Sequence, residues 1–139
     1  MKKSVLLLAV TLTMTGTAVA HEEHAHGGHQ SDKQMAKLHK MMPKYAKAQT
    51  EIAAALEGGD LRAVLKETDY LLSTTADLKK SKPHKKASEL EEFRKLAAGF
   101  EKDVKKTAET ARKGEVPGAK ASFAEARKKC TACHAKFRN

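Results

Sequence analysis

Residues 117–138 read PGAKASFAEARKKCTACHAKFR. Within this stretch Ala119, Phe123, Ala126, Cys130, Cys133 and Phe137 recur at steps of three and four, the spacing that stacks side chains on one face of an α-helix. Pro117 suits a first helical turn, and Gly114 just before it suits the end of a preceding helix. Both cysteines therefore fall on the buried stripe of an amphipathic helix. Working outward, every other patterned segment of the chain has helical period, and none alternates as a strand would.

Cys130-Thr131-Ala132-Cys133-His134 is a C-x-x-C-H sequence, the attachment pattern of c-type haem. Two thiols two residues apart can each add to one vinyl group of the same porphyrin. The adjacent His134 then lies where its imidazole can take the proximal position on iron. The rival readings of the pair lack support. A thioredoxin-like site needs a strand before the cysteines. A disulfide across so short a loop stabilises little. A zinc site needs further ligands, and the chain has only 2 cysteines.

The 139 residues make one small domain, with 4% aromatic residues and no tryptophan, a lean core that a porphyrin plate would complete. The formal charge of +10 points to anionic partners. Nucleic acid is disfavoured among them, because aromatics are few and the chain is read as exported. Residues 1–20 have the form of a cleaved secretory signal: Lys2 and Lys3, an apolar run from Val5 to Met14, and Ala18-Val19-Ala20 at the cleavage site. The apolar run falls short of the ~20 residues a membrane span requires, so no stable membrane insertion is expected after cleavage. Residues 21–31 should form a disordered His-rich tail. His21, His24, His26 and His29 can bind divalent metals weakly, while the simpler reading is a solvated leader to the fold.

The folded domain is expected over 32–139. In its first helix Met35, Met42, Gln49 and Leu56 interleave with Leu38, Tyr45 and Ile52 as an a/d seam. Pro43 either kinks this helix or starts a new one. Gly58-Gly59 ends it and Asp60 can cap the second helix, from about Leu61 to Lys79, whose inner face holds Leu61, Val64, Leu65, Thr68, Leu71, Leu72, Thr75 and Leu78. A basic connection, 79–86, reads as a solvated loop. A third helix follows from near Pro83 or from a capping box at Ser88 and Glu91, with Leu90, Phe93, Ala97, Phe100, Val104, Thr107 and Ala111 inward. Four helices with two short links and one longer one give an all-α, antiparallel, up-down-up-down four-helix bundle with covalently attached haem. In that arrangement the early part of the first helix lies beside the C-terminal part of the last, so the open face of the haem should meet it.

This combination resembles the class II c-type cytochromes, the cytochrome c prime family and its methionine-ligated low-spin relatives. The resemblance covers about Lys33 to Asn139, and it is most specific at Cys130–His134 with Phe137-Arg138 following. It implies Cys130 and Cys133 as thioether sites, His134 as proximal ligand, Phe137 and Arg138 as cofactor neighbours, and a distal residue from the first helix. It also implies that homodimers are common. The family often has an arginine four residues before the distal position; here Leu38 and Lys37 stand at that spacing from Met42 and Met41. Met35, His39, Met41 and Met42 are the distal candidates, with Met42 preferred for its place on the seam.

The resulting expectation is a periplasmic monohaem one-electron carrier, not an enzyme, serving an acidic redox partner steered by Lys128, Lys129, Lys136 and Arg138. The alternative is a five-coordinate protein that binds NO or CO in an apolar pocket. A weaker third reading makes the chain a metal-binding module through its histidine tail.

Overall fold

A computed structural model describes residues 28–83 and 85–138, with side-chain surroundings from residue 33 onward. Four helices follow in order: α1 (Gly28–Gly58), α2 (Leu61–Lys80), α3 (Leu90–Arg112) and α4 (Val116–Phe137), with a single 3-10 turn (Ala87–Glu89) before α3. There is no strand among the described residues.

The links between α1 and α2 and between α3 and α4 are tight enough to force antiparallel neighbours. Gly59 takes φ +72°, a left-handed conformation that a side chain would strain. Asp60 then caps α2, its Oδ1 accepting from the Ala63 N–H at 3.0 Å. Gly114 does the same turning work between α3 and α4 at φ +79°. Side-chain pairs record the antiparallel register: Lys37 meets Asp77 and Tyr45 meets Thr74 across α1 and α2. Arg112 meets Asp69 and Lys79 meets Glu101 across α2 and α3, and Lys120 meets Glu57 across α4 and α1. In α1 with α2, and in α2 with α3, residue numbers fall on one helix as they rise on the other.

The inner face of each helix supplies the core. Ile52, Val64, Leu71 and Val104 are fully buried, with Phe93, Phe100, Phe123 and Phe137 around them. Thr68, Thr75 and Thr107 are equally buried. Their hydroxyls are accommodated because each donates to a carbonyl one turn back, on Val64, Leu72 and Asp103 respectively.

One open alternative is decided and two expectations need correction. The first helix runs through Pro43 without a break. Proline removes one helical N–H, but the buried flanks Met41 and Tyr45 anchor the turns on either side, and tertiary packing outweighs that loss. Second, α1 reaches back to Gly28, so residues 28–31 of the expected disordered tail are helical; residues 1–27, with the leader and His21, His24 and His26, lie outside the described residues. Third, no capping box forms at Ser88. The chain makes its 3-10 turn after Lys86, which is left-handed at φ 56°, and Glu89 precedes α3 without a side-chain cap.

Candidate functional site

Packing between helices is uneven. The α3–α4 pair is the most intimate, while α1 and α4 touch only sparingly. Where they part, a small apolar cleft opens at the end of the bundle that holds the C-terminus of α4. From α4 it is lined by Lys129, Cys130, Cys133 and His134, and from α1 by Met42, Tyr45, Ala46 and Gln49. Leu78 of α2 and Leu96, Ala97 and Phe100 of α3 close the back. The first helix thus faces the C-x-x-C-H segment, as antiparallel neighbours require.

Cys130 and Cys133 are free thiols, half-buried, one turn apart on the cleft side of α4. At that helical spacing Cβ atoms lie about 5–6 Å apart, so two thiols can grip one edge of a flat group without distorting the helix. Burial pushes the Cys130 thiol up to about 11, helped by its neighbour Cys133 and opposed by a hydrogen bond from the Gln49 side chain. Cys133 is raised as well, by burial. These are un-ionised thiols in an apolar wall, not the electropositive thiolates of a redox dithiol.

His134 is held below its ordinary value, first by burial and then by the positive charge of Arg138. The neutral imidazole keeps a lone pair for a metal. Arg138 itself is exposed at the end of α4, where its backbone N–H donates to the His134 carbonyl at 3.0 Å. It acts on the site through His134. Phe137 is buried against Phe93, edge to face with ring centroids 5.4 Å apart, and plugs the core beneath the cleft instead of lining it.

The four distal candidates separate cleanly. Met42 lines the cleft. Met41, placed off the seam by the heptad reading, is 7% exposed and belongs to the core. Met41, Tyr45, Ala48 and Ile52 form the true inner stripe: the Tyr45 and Ile52 line of the seam is inward, but α1 is rotated so that Met41 and Ala48, not Met42 and Gln49, are buried beside it. His39 is exposed, and Met35 is half-buried outside the cleft.

Sequence reading passed over Ala46 and Leu96. Ala46 follows Met42 by one turn on the same face, and its small side chain leaves room in the cleft. That spacing was readable; the need for space there was not. Tyr45 forms part of the wall, its ring tilted on Phe100 at 5.6 Å and its hydroxyl 2.9 Å from the Thr74 hydroxyl. Burial pushes the Tyr45 phenol up to about 12.

An apolar slot, two un-ionised thiols on one wall, a neutral imidazole beside them and a thioether on the facing helix suit a covalently attached haem. Among the described residues no cluster of His, Cys, Asp or Glu forms a separate metal site, and no helix is long and apolar enough to cross a membrane. A family model described as Cytochrome C' matches residues 29–138. No curated protein and no solved structure matches the chain significantly.

Proposed function

The chain belongs to the cytochrome c′ family, whose members carry a covalently attached haem c, and on that premise we propose that it is a one-electron carrier with His134 and Met42 as the two iron ligands. Members of the family are typically electron carriers or gas-binding proteins, generally periplasmic and often dimeric. The single observation that carries the proposal is that Met42, alone of Met35, His39, Met41 and Met42, lines the cleft with Cys130, Cys133 and His134.

Haem c supplies reversible Fe(III)/Fe(II) exchange when bound. The residues do the rest. Cys130 and Cys133 tether the group from one helix face, and the neutral His134 presents a nitrogen. Met42 presents a soft thioether from the facing helix, a donor that raises the potential relative to a second histidine. Leu78, Leu96, Ala97 and Phe100 exclude water from the back of the cleft. A carrier needs little more, because the same ligands serve both oxidation states. We place the protein in the periplasm and assign it no catalytic residue.

A second reading keeps Met42 as packing only. The cleft wall is almost wholly apolar, which would suit a small uncharged gas at an open iron position. The spin state of the ferric holoprotein separates the two. A low-spin spectrum with a methionine–iron charge-transfer band, lost in Met42→Ala, supports the carrier. A high-spin, five-coordinate spectrum indifferent to Met42→Ala would replace it with gas binding.

A further inference from the structure

The charges of this chain are sorted by end. Segments 33–48, 71–100 and 127–138, which form the half of the bundle around the cleft, hold 17 Lys and Arg against 4 Asp and Glu. Segments 49–70 and 101–126, the opposite half, hold 8 against 10. The positive charge is therefore not a general solubility device, which would be spread over both ends.

Its most ordered part is on α1. Lys33, Lys37, Lys40, Lys44 and Lys47 recur at steps of four, three, four and three, a single file of exposed ammonium groups about 21 Å long on one helix face. Two of them have counter-ions at hand, Lys37 with Asp77 at 2.8 Å and Lys47 with Glu51 at 3.6 Å. Lys33, Lys40 and Lys44 have no ion pair among the described residues. Like charges at these spacings repel along a helix, and the first turn of α1 contains no acidic residue to offset them. Folding alone gives no reason for the file. Beside it, Lys44, Lys47 and Glu51 of α1 line a surface groove with Lys66, Glu67 and Tyr70 of α2, its two carboxylates paired with Lys47 and Lys66.

We propose that the lysine file of α1 is the docking surface for an acidic segment of a partner protein, a helix or strand carrying carboxylates at matching intervals. Charge complementarity identifies the occupant. A lipid surface is the poorer fit: a helix that lies in a membrane exposes its apolar face, and the apolar face of α1 (Met41, Tyr45, Ala48, Ile52) is buried in the bundle. The surface lies on the opposite side of α1 from Met42, so it stands whether the iron carries electrons or binds gas.

The test uses the mature holoprotein and a fluorescein-labelled twelve-residue oligoglutamate, read by anisotropy at low and physiological salt, with amide-shift mapping of the bound probe. Lys40→Glu/Lys44→Glu should weaken binding at low salt by about tenfold or more, as expected for charges at the contact. Lys106→Glu/Lys113→Glu, with the same net change at the other end of the bundle, should weaken it by less than about twofold. Lys40→Gln/Lys44→Gln keeps the test open if the reversed pair folds poorly; it should bind more weakly yet melt at a higher temperature, because it relieves repulsion. Equal losses in the two Glu pairs, shifts mapping away from α1, or tighter binding to phosphatidylglycerol vesicles than to the peptide would each overturn the proposal.

Discussion

Met41 and Met42 are adjacent in sequence and divided in role, and Met41→Ala tests that division. Met41 is 7% exposed and continues the stripe of Tyr45, Ala48 and Ile52. Truncating a buried methionine removes its transfer free energy and leaves a cavity, together about 2–5 kcal/mol. Met41 stands toward the cleft end of α1, where neighbours can relax into the space, so the lower part of that range applies: about 2–3 kcal/mol. For a domain of this size that is a fall in melting temperature of roughly 10 °C or more. Urea unfolding of the ferric holoprotein should show a lower midpoint at unchanged slope. The visible spectrum should be that of the wild type, whereas Met42→Ala should change it. A Met41→Ala protein that lost its methionine–iron band, or that cost less than about 1 kcal/mol, would refute the placement of the two side chains and move the ligand by one residue.

Phe137→Ala should cost about 3–4 kcal/mol in urea unfolding, since the ring is 4% exposed and packed on Phe93; haem attachment should persist, and a loss under about 1.5 kcal/mol would mean that the ring is no plug. Tyr45→Phe should cost about 1 kcal/mol, with no larger penalty, because the Thr74 hydroxyl keeps the Leu71 carbonyl at 3.0 Å. Asp60→Ala removes the α2 cap and should cost about 1 kcal/mol by thermal melting; no change would deny the Ala63 bond a role. Lys79 and Lys105 hold the Glu101 carboxyl below its ordinary value. That stabilisation is therefore present above the unfolded value near 4.5 and lost as pH falls through the lower folded value. Glu101→Gln should flatten the acid limb of stability against pH below about 4.5 and leave the limb above pH 7 alone.

Much of the fold was legible before any coordinates. Most inward positions of α2 and α3 follow from period, because those helices are unbroken and amphipathic: Val64, Thr68, Leu71, Thr75 and Leu78, then Phe93, Ala97, Phe100, Val104, Thr107 and Ala111, are buried, whereas Leu61, Leu65, Leu72 and Leu90, which the period also turns inward, are only half-buried. Asp60 and the two glycine turns were readable from local backbone chemistry. The α1 stripe was less so. Tyr45 and Ile52 can pair with Met42 and Gln49 on one side or with Met41 and Ala48 on the other at the same spacing, and the rotation of α1 selects the second set for the core. The capping box at Ser88 failed for a related reason. Its residues were right, but the left-handed Lys86 and the 3-10 turn start α3 from Leu90.

The sequence by itself determined where the expected chemistry lies. C-x-x-C-H points to its own attachment and proximal residues because Cys130, Cys133 and His134 fall within about one helical turn, and a turn is set by local backbone geometry. It likewise determined the charge, and the helical file of lysines on α1. Only the tertiary structure decided which residues face that chemistry across the cleft. Met42, Ala46 and Gln49 lie more than eighty positions from Cys130. What joins them is the rotation of α1 about its axis, fixed by which of two adjacent methionines the core buries. That choice is a sum over packing contacts from three other helices, and no local pattern encodes it.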